Sequence, residues 1–125
     1  MTQKEKNLLF KDLCSRLPYG VKVKVKHNDV VWKLLAIYTN GTIYTTRDVG
    51  YPIETYFEDC KPYLFPLSSM TEKQKKELQS LIIQDAFGTS DNVCTLQDFY
   101  CKYHLDNNGL IPIKLAEDAS NKNIY

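Results

Sequence analysis

The chain has 125 residues, 43% hydrophobic and 25% charged, with a formal net charge of +1 at pH 7. That length supports one core of ordinary size and not two, and average composition argues against both disorder and a membrane class. No apolar run approaches the roughly 18 residues of a spanning helix.

The polar start Met1-Thr2-Gln3-Lys4-Glu5-Lys6-Asn7 has no signal-peptide segment, so a cytoplasmic protein without membrane association is expected. The opening residues also carry a helix-start signature. Thr2 with Glu5 is a capping-box pair and predicts a helix over Gln3–Arg16, with Leu9, Phe10, Leu13 and Leu17 on its apolar face. Leu17-Pro18-Tyr19-Gly20 ends it.

Val21-Lys22-Val23-Lys24-Val25-Lys26 alternates strictly and predicts a strand with valines inward and lysines outward. After a turn at His27-Asn28-Asp29, residues 30–39 are β-branched and aromatic and predict a second strand. Asn40-Gly41 predicts a two-residue hairpin that pairs Tyr38 with Ile43 and Ile37 with Tyr44. In that register Trp32, Leu34, Ala36, Tyr38 and Ile43 face the core, and Lys33, Leu35, Ile37 and Tyr44 face away. Ile53-Glu54-Thr55-Tyr56-Phe57 is a candidate fourth strand.

Lys61 to Thr71 contains Pro62 and Pro66 and reads as a joint that stops the sheet, with Tyr63 and Leu64 buried. Thr71 with Gln74 starts a second helix over Glu72–Ala86, its apolar face built from Leu78, Leu81, Ile82 and Ile83 and its end at Phe87-Gly88. Thr95 caps a shorter helix from Leu96 to His104, with Leu96, Phe99, Tyr100 and Tyr103 inward, and Asp106-Asn107-Asn108-Gly109 breaks it. Residues 110–116 read as a final short helix and 120–125 as a frayed end.

The candidate chemistries are sparse. The four cysteines, Cys14, Cys60, Cys94 and Cys101, are widely spaced and form no C-x-x-C pair, so they are read as reduced thiols. Cys94, Cys101 and His104 share a helical face but make only three local ligands where structural zinc takes four. The stretch around Asp106, Asn108 and Gly109 is like a calcium loop, yet His104 and Leu115 stand where the two key carboxylates belong. Nothing in the sequence brings a cysteine together with His27 or His104 as a nucleophile pair. Glu58-Asp59 and Glu117-Asp118 are adjacent in sequence and point apart, and the five isolated glycines form no phosphate-cradling loop. No catalytic residue, metal or cofactor is therefore assigned.

Residues 1–33 hold eight Lys/Arg against three acids, a net of +5 that the remainder offsets. Lys22, Lys24 and Lys26, joined by Lys33 and Tyr44 on the same outer surface, form a candidate nucleic-acid-binding face of lysines beside an aromatic ring. The bland alternative is a solvated sheet face whose lysines guard an edge against pairing.

Three motifs resemble, in the same order, a family of small uncharacterised proteins from gut Bacteroides-type bacteria and their phages or mobile elements. They are Leu13-Cys14-Ser15-Arg16-Leu17-Pro18-Tyr19-Gly20-Val21-Lys22, then Lys61-Pro62-Tyr63-Leu64 with 66–71, and His104-Leu105-Asp106 with Gly109-Leu110-Ile111-Pro112. Asn107-Asn108 departs from the aromatic and basic pair expected there. The resemblance implies no activity, cofactor or catalytic residue.

The expected fold is α+β, with a small antiparallel sheet of three or four strands, in one variant a partly open barrel, an N-terminal helix and a C-terminal helical half. One domain spans residues 1–125, with a β-rich part over about 18–60, a joint over 61–71 and a helical part over about 72–118. The expected function is that of a small non-enzymatic accessory or protein-interaction protein of phage or mobile-element origin. The alternative is a nucleic-acid-binding small β-barrel module using the lysine face.

Overall fold

Both capping boxes form. The Glu5 N–H donates to Thr2 Oγ1 at 3.1 Å and the Thr2 N–H to Glu5 Oε1 at 2.9 Å, opening helix α1 over Gln3–Arg16. The same exchange between Thr71 and Gln74 opens helix α2 over Glu72–Ala86. Each box satisfies two backbone donors that a helix start would otherwise leave free.

The computed structural model describes residues 1–26, 28, 30–47, 50–86 and 96–125. The expected turn residues His27 and Asp29, the stop at Phe87-Gly88, Cys94 and the Thr95 cap lie outside them.

Among the described residues, six strands follow α1 and make one open mixed sheet rather than three or four antiparallel strands or a barrel. They are β1 (Lys22–Val25), β2 (Val31–Ile37), β3 (Thr42–Thr46), β4 (Ile53–Tyr56), β5 (Cys60–Leu64) and β6 (Glu117–Asp118). Their order is β4-β3-β2-β1-β5-β6, antiparallel throughout except for the parallel pair of β5 with β6.

Strand β5 lies where a joint was expected, with Pro62 opposite Val23. The Lys26 N–H donates to the Asp59 carbonyl at 2.7 Å. Because hydrogen-bonded and non-hydrogen-bonded pairs alternate in an antiparallel ladder, Val23 and Pro62 form a non-bonded pair. The ladder to β1 therefore asks nothing of proline's missing N–H, and β6 begins its pairing only at Tyr63. Tyr63 and Leu64 are buried, as their position in the sequence led us to expect.

The β2–β3 hairpin differs from the expected register by one residue. Ile37 pairs with Ile43 and Ala36 with Tyr44, because the turn holds three residues, Thr39-Asn40-Gly41, and Gly41 sits at φ +90°. The Gly41 N–H donates to the Tyr38 carbonyl and the Tyr38 N–H to the Thr42 carbonyl, a turn that closes through a left-handed glycine. A bulge at Leu35 restores the inward register for Trp32 and Leu34, which are buried. The two irregularities turn Ile37 toward the core and Tyr38 out to solvent, the reverse of the expected faces.

Leu9 and Leu13 of α1 pack with Val21, Val23, Trp32, Leu34, Ile43 and Leu64 in the main core. Each such side chain contributes roughly 1.5–3 kcal/mol by leaving water. Helix α3 (Leu96–Lys102) buries Phe99 and Cys101. Helix α2 buries less than its sequence suggests, since Ile82 and Ile83 are exposed, and it meets α3 through Glu77, which accepts from Tyr103 Oη at 2.6 Å and from Lys102 Nζ at 3.3 Å.

Residues 110–116 form turns rather than a helix. Lys114 takes φ +64°, and the Asp106 carboxylate holds the Leu110 and Ile111 N–H groups at 2.8 and 2.9 Å. This segment still buries Leu110, Leu115 and Ala116 in the main core. The end of the chain is anchored rather than frayed. Tyr125 Oη accepts from the Lys22 N–H and donates to the Tyr63 carbonyl, both at 2.8 Å, and its ring stacks on His104 with centroids 3.7 Å apart.

Candidate interaction surface

With the valines of β1 inward, alternation along each strand defines the outer face of the sheet. It carries Lys22 and Lys24 of β1, Lys33 and Leu35 of β2, Thr42, Tyr44 and Thr46 of β3, Glu54 and Tyr56 of β4, and Lys61 and Tyr63 of β5. Two chemically different regions result.

Over β1 and β5 the face is cationic and partly covered. Lys22 stands opposite Lys33, and Lys24 opposite Lys61, like charges that oppose each other across the ladder. Local acids answer some of them: Lys24 lies 3.7 Å from Glu117 and Lys26 4.0 Å from Asp59. Lys22 Nζ donates to the Ile124 carbonyl and lies over the Tyr125 ring, and Lys122 lies over Tyr63. The candidate nucleic-acid residues Lys22, Lys24, Lys26 and Lys33 thus sit together, with three of the four already engaged by neighbours that sequence spacing does not bring near. Tyr44 shares their face but lies toward β4.

Over β2, β3 and β4 the face is open and aromatic. Leu35, Tyr38 and Tyr56 expose 46%, 47% and 61% of their surface. Tyr38 and Tyr44 meet edge to face with centroids 5.5 Å apart, and Tyr44 Oη donates to Glu54 Oε2 at 3.1 Å. That bond and the charge of Glu54 raise the pKa of the Tyr44 hydroxyl. Sequence reading missed Tyr38 and Tyr56, because only the three-residue turn and the bulge place Tyr38 outward. No family model matches the sequence, and none of the curated proteins or solved structures does.

The three motifs of the sequence converge on one place, away from this face. Arg16 and Asp12 are fully buried on α1 and joined at 2.8 Å, Arg16 Nε to Asp12 Oδ2. Arg16 also donates to the Leu105 carbonyl at 2.7 Å and to Asn107 Oδ1 at 2.9 Å, and Asn108 Nδ2 donates to Asp12 Oδ1. Phe65 bridges to Leu105 from the end of β5. Asn107 and Asn108, where the chain departs from the expected pair, therefore complete a buried ion pair.

Burial raises the thiols of Cys60 and Cys101, the opposite of what a reactive cysteine needs. Among the described residues no three His, Cys, Asp or Glu side chains gather around a common metal position.

Burial, reinforced by the positive charges of Arg16 and Lys22, pushes His104 from 6.5 down to about 4. A base depressed on folding binds its proton first in the unfolded chain, so stability falls as pH drops from about 6.5 to about 4 and this loss is complete below that. Urea unfolding across that window should show the wild type losing more stability than His104→Gln. Equal losses would remove His104 as the cause.

Proposed function

We propose that the protein is a small accessory protein that works in the cytoplasm by binding another protein through the open aromatic half of its outer sheet face, with no chemistry of its own. The observation that carries this is the exposure of Leu35, Tyr38 and Tyr56 on adjoining strands beside Tyr44. Tyrosines supply large contact area at low entropic cost and are enriched where proteins meet.

The partner is an acidic protein surface. Lys33 lies on the same outer face, opposite Thr46 and two residues along β2 from Leu35, and gives the edge of the tyrosine surface a positive charge that complements carboxylates. A nucleic-acid strand fits less well, because Tyr38 and Tyr44 pack edge to face rather than side by side as a platform for stacked bases.

Matched pull-downs from native lysate with wild type and Tyr38→Ser/Tyr56→Ser test this. Recovery of the same acidic protein by the wild type and its loss from the variant supports the reading. A partner retained equally by both overturns it, as does salt-sensitive oligonucleotide binding that Tyr38→Ser/Tyr56→Ser abolishes.

A further inference from the structure

The strand order leaves two sheet edges, β4 and β6. The β6 edge is guarded, being a strand of two residues, Glu117 and Asp118, both acidic. The β4 edge carries no lysine, proline or bulge, and it pairs with β3 in one unbroken register over all of Ile53–Tyr56.

The hydrogen-bonding phase of β4 fixes which of its backbone groups face outward. The Phe57 N–H donates to the Gly41 carbonyl at 2.9 Å, whereas the Thr42 carbonyl is turned the other way and accepts from the Tyr38 N–H. Thr42 and Tyr56 are therefore a non-bonded pair, and Tyr44 with Glu54 is the next. The N–H and C=O groups of Glu54 and Tyr56 consequently point away from β3, and among the described residues no strand pairs with them. Both side chains are exposed on the outer face.

We propose that β4 is a self-association edge, which pairs antiparallel with β4 of a second copy of the chain about a two-fold axis at Thr55. Glu54 then stands opposite the partner's Tyr56, and Tyr56 opposite the partner's Glu54. Each such pair exchanges both of its backbone hydrogen bonds, which satisfies the outward groups of the two strands. The side chains agree with this register. Tyr44 Oη already donates to Glu54 Oε2 from directly across the β3–β4 ladder, and the partner's Tyr56 hydroxyl donates to Glu54 Oε1 from the other side. An axis at Glu54 would set two carboxylates against each other and ask Pro52 for an N–H it lacks. An axis at Tyr56 would run the pairing into Phe57–Asp59, which is a helical turn. The edge thus presents one acceptor and one donor, two residues apart, which the two-fold axis exchanges. The contact is small, so the dimer is transient. It uses the backbone of the strand, leaves the tyrosine rings on the solvent side, and stands whether or not the aromatic surface binds a partner.

Sedimentation equilibrium of the full chain, with no other protein present, tests this from about 10 µM to about 1 mM, the range for a small transient interface. A reversible monomer–dimer equilibrium without larger species is expected. Tyr56→Glu sets carboxylates against each other in both pairs and should weaken the dimer at least about tenfold. Glu54→Lys/Tyr56→Glu sets lysine against glutamate at the same positions and should restore it to within about threefold of the wild type. Both residues are exposed, so the variants should keep the wild-type fold. Tyr38→Ser, away from this edge, should dimerise as the wild type does. A chain that stays monomeric over the whole range would overturn the proposal. So would a dimer that Tyr56→Glu leaves intact, or one that the double variant does not restore. Loss of the dimer in Tyr38→Ser would also overturn it, by assigning the association to the aromatic face.

Discussion

Arg16→Met should unfold the protein more easily by about 3–5 kcal/mol, the scale for removing one partner of a buried ion pair. The side chains of Arg16 and Asp12 are both inaccessible to solvent, and methionine would leave the Asp12 carboxylate enclosed with only its bond from Asn108. The Leu105 carbonyl and Asn107 Oδ1 would lose their donor at the same time. Asp12→Leu should cost a similar amount by stranding the guanidinium. The double variant Asp12→Leu/Arg16→Met should lose much less than the sum, since neither charge is then left alone. Denaturant unfolding of the three variants checks this, and additive losses would show that the two residues act separately.

The second large effect is expected at Asp106, a buried carboxylate that holds two backbone N–H groups, those of Leu110 and Ile111. Asp106→Ala leaves both donors without a partner where the chain turns toward the buried Leu110. Unmet donors cost roughly 1–3 kcal/mol each, so a loss of about 2–6 kcal/mol is expected. Asp106→Asn keeps one good acceptor and should lose about half as much. Unfolding midpoints measure the loss, and faster hydrogen exchange at Leu110 and Ile111 locates it. An Asp106→Ala protein with wild-type stability would mean that the turn is held by its apolar residues alone.

Both predictions give structural work to segments that stand out in the sequence. Of the conspicuous stretches around Arg16, Lys61 to Thr71 and His104 to Pro112, the last two share the lining of one pocket of about 480 Å³ through Phe65, Ser69, Thr71, His104 and Leu105. All three meet where α1, the end of β5 and the 104–111 turns are tied together, through the Arg16 hydrogen bonds and the Phe65–Leu105 bridge.

Local signals were readable from the sequence, and non-local ones were not. The helix starts at Gln3 and Glu72 depend on residues three positions apart, and both form where Thr2/Glu5 and Thr71/Gln74 place them. The inward valines of β1 follow from strict alternation. Pro62 misled because proline is excluded from a strand only where its N–H is needed, and the pairing phase that decides this is set by Lys26 and Asp59.

The outward turn of Tyr38 was hidden for a similar reason. Asn-Gly fits both a two-residue turn and the observed three-residue turn, and the extra residue at Leu35 has no clear mark in a run that is apolar on both faces. The lysine positions on β1 were read correctly, but their counter-charges were not, because Glu117 and Asp59 arrive from distant parts of the chain. The anchoring of Tyr125 depends on Lys22, Tyr63 and His104, none of them a sequence neighbour.

The most direct test of the proposed surface is mass-spectrometric footprinting of the tyrosines in the free protein and in the complex with its recovered partner. Tyr38 and Tyr56 should react in the free protein, Tyr63 should not, and binding should protect Tyr38 and Tyr56 together. Undiminished reaction of both in the complex, with protection confined to the helices, would contradict the account.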